Sequence, residues 1–218
     1  MLGFVFKVAT EAIEAAGSVV GVRRGTEEPL HAVEQSFDGV EIRRYGLRIA
    51  AETTVTGLQN RALSEGFRRL ARYIFGGNHV RAEIATTAPV TQQPSVAYGR
   101  QRSEKLAMTA PVSQHAEGDD QWVVRFFMPA GKTTESLPEP DDAAVKLVTI
   151  PAETLAVRRF SSTPSPKAVA SQTDELMYAL RNRGFEATGT PAAWFYDPPW
   201  TLPMLRRNEI AVPVEAKV

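Results

Sequence analysis

Asn60-Arg61-Ala62-Leu63-Ser64-Glu65-Gly66-Phe67-Arg68-Arg69-Leu70-Ala71-Arg72-Tyr73-Ile74-Phe75 runs directly into Gly76-Gly77-Asn78. At about 100° per residue, Leu63, Phe67, Leu70 and Ile74 share one side of a helix, and Arg61, Glu65, Arg68 and Arg72 share the other. Gly57 and Asn60 open this helix and the glycine pair stops it. Its apolar stripe needs a sheet to cover it, and its outer face is a basic ridge.

The flanks supply the strands. Upstream, Val40-Glu41-Ile42-Arg43 alternates, Tyr45-Gly46 turns, and Ile49, Ala51, Thr53 and Val55 alternate again. Downstream, segments 84–92 and 105–114 each carry Thr-Ala-Pro-Val, with a polar loop over 93–104 between them. Trp122 to Met128 is apolar on both faces, which predicts a central strand covered on both sides. The proline- and acid-rich stretch 131–142 marks a boundary. After it the order repeats. Strands are expected at 145–150 and 154–160. A helix follows from Pro164 to Gly184, with Val169, Thr173, Leu176 and Leu180 on one face. Closing strands are expected at 193–196 and 209–212.

The fold expected is α+β, an antiparallel sheet, open or curled toward a barrel, that carries two helices and repeats the order β-β-α-β-β in two halves. Residues 1–30 form an extra N-terminal amphipathic helix and a linker, and residues 31–218 the domain itself. In the N-terminal helix, Leu2, Phe6, Ala9, Ile13, Ala16 and Val20 recur at spacings of four and three. It either docks on protein or lies on a membrane surface, and docking is favoured.

Composition narrows the function. The 218 residues carry 25 Lys plus Arg against 25 Asp plus Glu, a net charge of zero. That lacks the basic excess of a duplex nucleic-acid binder, so no nucleic-acid partner is expected. The absence of cysteine excludes disulfides, thiolate nucleophiles, zinc–cysteine sites and iron–sulfur clusters. No apolar run reaches the ~20 residues of a membrane span, and a cytoplasmic location is expected. None of the three histidines, His31 in the N-terminal linker, His79 in the loop after the basic helix and His115 opening a polar loop, is at metal-ligand spacing from another. No serine elbow, phosphate loop or dinucleotide fingerprint is present, so the chain reads as a binder rather than an enzyme.

Three features remain. The proline of each Thr-Ala-Pro-Val segment lacks a backbone donor, which suits a sheet margin where a groove opens, or a plain bulged edge. The ridge Arg61, Arg68, Arg69 and Arg72 is either a solvated face or an anion site. Trp194-Phe195-Tyr196-Asp197-Pro198-Pro199-Trp200, with Leu202 and Met204, either plugs a core or lines a flat apolar pocket.

Lys105-Leu106-Ala107-Met108-Thr109-Ala110-Pro111-Val112, Tyr196-Asp197-Pro198-Pro199, Arg206-Arg207-Asn208-Glu209-Ile210 and Tyr73 with Gly76-Gly77-Asn78 together resemble the SOUL heme-binding protein family over residues 34–214. The resemblance implies a distorted antiparallel β-barrel built from two β-β-α-β-β halves, with non-covalent binding of heme or another porphyrin in an apolar cleft beside the first helix. The site residues expected from it are Phe67, Arg68, Arg69, Ala71, Arg72, His79, Met108, Val112, Trp200 and Met204. Arg72 stands where animal members carry a lysine proposed to meet a propionate. A second basic position of those members is Ser64 here, with Arg61 or Arg68 as substitutes. His79, at the end of the basic helix, is the histidine best placed for iron. Open alternatives are a module for other flat hydrophobic ligands and an enzyme acting on tetrapyrroles.

Overall fold

The computed structural model describes residues 26–80, 103–107, 109–118, 120–197 and 200–217. The expected N-terminal helix, the first Thr-Ala-Pro-Val segment and Met108 lie outside the described residues.

Three strands precede the first helix: β1 (His31–Phe37), β2 (Val40–Tyr45) and β3 (Arg48–Thr56). Helix α1 (Gln59–Ile74) follows, then β4 (Asn78–His79), β5 (Val112–Ala116), β6 (Gln121–Phe127) and β7 (Glu139–Pro140). The rest is β8 (Lys146–Ile150), β9 (Glu153–Phe160), α2 (Pro166–Asn182), β10 (Phe185–Ala187), β11 (Ala192–Phe195), a 3-10 turn (Pro203–Leu205) and β12 (Asn208–Ala216). The helix and strand stretches read from periodicity are all present within the described residues. Helix α2 starts as its sequence dictates. The Ser165 side chain accepts from the Ala168 amide, and Pro166 occupies the first turn, where its missing donor costs nothing.

The main sheet runs β1-β2-β9-β12-β11-β5-β6-β3-β8, with β10 added to β12, and its pairs are antiparallel. Its two ends, β1 and β8, do not pair, so the sheet is a half-barrel with two helices rather than a closed barrel. Period-two alternation sorts its side chains onto two faces. Ile49, Ala51, Val124 and Phe126 point outward beneath α1, with Leu70, Tyr73 and Ile74 of the helix on top. Ala156, Ile210 and Val212 point outward beneath Leu176 and Leu180 of α2. The alternate residues Ala50, Phe127, Leu155, Val157, Trp194 and Ala211 join Tyr45 in a third cluster on the inner face. That cluster gathers β2, β9 and β12 with β3, β6 and β11, which a flat sheet would hold apart; the inner face is therefore concave.

Two glycines set how α1 sits. A Cβ at Gly66 would lie 2.7 Å from a Val124 methyl, so the glycine lets the helix approach β6 closely. Gly76 adopts φ +110°, which turns the chain out of the helix. Asn78 then fixes the exit. Its side-chain amide donates to the carbonyls of Tyr73 and Glu104 and accepts from the Glu104 amide.

Three expectations change. His31 belongs to β1, an almost fully exposed strand on β2, and not to a linker. His115 belongs to β5 and does not open a loop. Pro111 is not at a sheet margin: β5 lies between β6 and β11 in the middle of the sheet. The proline sits one residue before the ladder begins at Val112, so its missing donor removes no ladder bond.

Candidate functional site

Helix α1 presents a two-part outer edge. Phe67 is 43% exposed and Phe75, at the helix end, 58%. At about 100° per residue, Phe67, Ala71 and Phe75 form an apolar stripe along one flank, and Arg61, Arg68 and Arg72 line up beside it. Phe67 packs its inner edge on Phe126, ring centroids 5.3 Å apart and tilted 64°. Phe126 pairs in register with Val112, and Val112 with Phe195, so Val112 lies one strand beyond the ring that supports Phe67. Arg68 is exposed and donates to Glu65 at 2.8 Å. Arg72 is exposed and has no ion pair among the described residues.

Arg69 does not join this edge. It falls on the far side of Arg68 from Phe67 and is held by Glu65 at 3.2 Å. Trp200 (63% exposed) and Met204 (74%) lie in the β11–β12 connection with exposed Leu202 and Leu205. That connection leaves the sheet after Phe195, beside the start of β5. The Trp194 and Tyr196 end of the same stretch is core, buried in the inner-face cluster, whereas the connection that follows keeps its apolar side chains exposed.

His79 is engaged at both nitrogens. Nδ1 lies 2.7 Å from Asp141 Oδ1, and Nε2 lies 3.3 Å from Glu139 Oε2. The hydrogen bond to Asp141, with Glu139 opposite, raises its pKa above the ordinary imidazole value. Iron ligation would require Nε2 to leave Glu139, so this arrangement does not present His79 to a ligand. His115 shifts the other way: burial, with Arg125 nearby, lowers its pKa. The two rings are expected to titrate on opposite sides of the usual imidazole pKa in an NMR pH series. His79 then stabilises the fold below its unfolded pKa and loses that contribution as pH rises through the raised value. His115 costs stability as pH falls and the unfolded ring takes up its proton. Asp141→Asn should bring His79 back toward the ordinary value. Titration of both rings at one pH would contradict these contacts.

The residues that carry the C-terminal resemblance are mostly structural. Glu209 is fully buried. Arg43 grips it with two bonds, 2.9 and 3.2 Å, the Tyr196 hydroxyl donates to it at 2.6 Å, and Arg207 donates at 2.9 Å. Arg207 also bonds Glu28 at 3.0 Å and lies 3.9 Å over the Tyr196 ring. Burial pushes the Glu209 carboxyl up, but the bonds and charges of Arg43, with Tyr196 and Arg207, outweigh it and hold the carboxyl below the usual range. The Asp197 carboxylate accepts from the Arg207 amide, and the Asn208 amide donates to the Ser162 carbonyl. This network fills one end of the concave face.

Sequence reasoning passed over Arg48. The charge sits at the start of β3, two residues from the inward-facing Ala50, and is 8% exposed. Its one legible signal is that parity, which sends a charged side chain toward the core.

The family model for SOUL heme-binding protein matches residues 26–102 and 96–213. No curated protein matches the chain in sequence. Among solved structures, the EcmrR C-terminal domain is similar at 13% identity and TM-score 0.55, covering 87% of this chain and 99% of that one. A hydrolase from Listeria innocua is similar at 8% identity and TM-score 0.54, covering 84% and 94%. At these identities the likeness is one of fold alone. Among the described residues no helix is long and apolar enough to cross a membrane.

Proposed function

The chain belongs to the SOUL heme-binding protein family, and from that premise we propose that it binds heme or a related tetrapyrrole non-covalently on the outer edge of α1. The observation that carries this reading is the stripe of exposed Phe67 and Phe75, with half-buried Ala71 between them, set beside Arg68 and Arg72. A porphyrin is a flat apolar disc with two carboxylates at one edge. The stripe offers area to the disc, at roughly 25 cal/mol per Å² buried before ordering costs. The arginines offer planar forks to the propionates, which fix orientation and add about 0–1 kcal/mol each in this exposed setting. The residues present fit such a ligand at the helix surface, where Phe67 and Phe75 would hold the disc and Arg68 and Arg72 its propionates.

Two finer points belong to the same proposal. The half-barrel is read as two β-β-α-β-β halves, because, β1 aside, exchanging β2, β9, β12 and β11 with β8, β3, β6 and β5 maps the sheet path onto itself. The role is binding rather than turnover. Hemin and metal-free protoporphyrin titrated into the protein should each give a saturable change at micromolar concentration, read at the Soret band and by tryptophan quenching. Heme kept with the protein under reducing conditions should be recovered unchanged. Absence of saturation would overturn the binding reading, and recovery of a demetallated or opened pigment would replace it with an enzymatic one.

A further inference from the structure

The concave face holds a second cavity, away from α1. It has a volume of about 310 Å³ and is lined by Phe127, Leu155, Trp194 and Arg48, with His115 and Arg125. That volume is at the lower end of small-molecule sites, so it suits a compact ligand rather than a porphyrin disc. Phe127 and Trp194 meet edge to face, centroids 5.7 Å apart, and give it an aromatic wall.

Arg48 is the unusual member. Its guanidinium carbon lies 4.6 Å from the Tyr45 ring centroid and 5.2 Å from that of Phe127. Nη2 donates to Glu153, while Nε and Nη1 are buried with no hydrogen-bond partner among the described residues. A buried cation with idle donors is costly, and sites of this kind ask for an explanation. Burial pulls the Arg48 pKa down despite Glu153, so the existing partner does not fully compensate the charge. Two of the other charges around the cavity are already matched. Arg125 pairs with Glu52 at 2.5 Å, and Glu153 already holds Arg48. Burial, with Arg125 nearby, lowers the His115 pKa, and the Glu117 carboxylate is exposed to solvent. What Arg48 lacks is an acceptor for Nε and Nη1.

We propose that the concave cavity is a second ligand site, for a small aromatic or apolar carboxylate whose acid group is held by Arg48 and whose ring lies against Phe127, Trp194 and Leu155. The carboxylate supplies the acceptor that Nη1 lacks, and the ring takes up the apolar wall. The site is independent of the α1 edge.

The test is calorimetric titration of the full chain with three probes of one shape: 2-naphthoate, 2-naphthylmethanol and 2-naphthylmethylammonium. Naphthoate should bind at one per chain, with the alcohol and the ammonium at least tenfold weaker. Equal binding of all three, preference for the ammonium, or no binding of naphthoate would overturn the proposal. Arg48→Lys keeps the charge and loses the planar fork. With the circular dichroism of the parent retained, it should weaken naphthoate at least tenfold, and unchanged affinity would overturn the assignment to Arg48. If that variant does not fold, the three-probe comparison on the parent decides. Phe67→Ser/Phe75→Ser should leave naphthoate binding unchanged, so failure of the tetrapyrrole reading and failure of this one are separable; naphthoate binding lost with that variant would place the site on α1 and overturn the proposal.

Discussion

Glu209→Gln is expected to destabilise the protein by about 3–5 kcal/mol, the range for breaking a buried ion pair by neutralising one partner. The substitution preserves shape but leaves Arg43, which is 5% exposed, and the half-buried Arg207 without the charge that both of them hold. For a chain of this size each kcal/mol moves the melting temperature by about 2–4 °C, so the midpoint should fall by about 6–20 °C. Acid sensitivity should change with it. Because Arg43 and its neighbours hold the folded carboxyl low, the stabilisation is complete above the ordinary carboxylate range. It is lost as pH falls through the depressed value, and the variant should lose much of that dependence. Glu41→Gln is the control. Glu41 touches the same Arg43 at 2.7 Å, but its side chain is 43% exposed, so the change should cost about 1 kcal/mol or less. Equal effects of the two substitutions, in a thermal melt, would contradict the description of the network.

Phe67→Ser/Phe75→Ser is expected to weaken hemin and protoporphyrin binding about a hundredfold, near 2.7 kcal/mol. Each ring offers roughly 1.5–3 kcal/mol if fully covered, and both are already partly in contact with the protein, so the pair contributes less than the full sum. Both are substantially exposed, 43% and 58%, so much of the loss should appear in binding rather than folding. Phe67 does lean on Phe126, which adds a modest stability cost of about 0.5–1.5 kcal/mol. Arg72→Ala, by contrast, should weaken binding by about fivefold at most, because an exposed ion pair is worth about 1 kcal/mol or less. Fluorescence titration of the three proteins gives the ranking. A larger effect of Arg72 than of the two phenylalanines would mean that charge, not apolar area, holds the ligand.

Much of the fold was legible because helix and strand periods differ. The stripe Leu63, Phe67, Leu70 and Ile74 has no reading but a helix on a sheet, and Val124 with Phe126 reads as the strand beneath it. β1 was not legible: His31–Phe37 is exposed nearly throughout, so burial imposes no alternation on it. β5 was mistaken at His115 because Ser113-Gln114-His115 is polar. Ser113 and His115 line the concave cavity, where a central strand need not be apolar.

The site was legible only in part, for a related reason. The α1 edge is local, so Phe67, Arg68 and Arg72 could be read from one helix. The buried charges are not local. Arg43 and Glu209 stand 166 positions apart and meet only because β2 and β12 flank β9 in the curled sheet. Arg48 reads as a turn charge beside Gly46-Leu47 until the curl lays Tyr45 and Phe127 over it. His79 read as a free loop histidine, since its carboxylate partners Glu139 and Asp141 come from the β7 region beyond the polar loop.

The central claim, a tetrapyrrole on the edge of α1, is tested most directly by mapping amide chemical shifts while metal-free protoporphyrin is added to the labelled protein. The expected result is a set of saturable shifts centred on Ser64, Phe67, Arg68, Ala71, Arg72 and Phe75, with little change around Glu209. A silent α1, with the shifts gathered instead at His115, Phe127 and Trp194 or absent altogether, would contradict it.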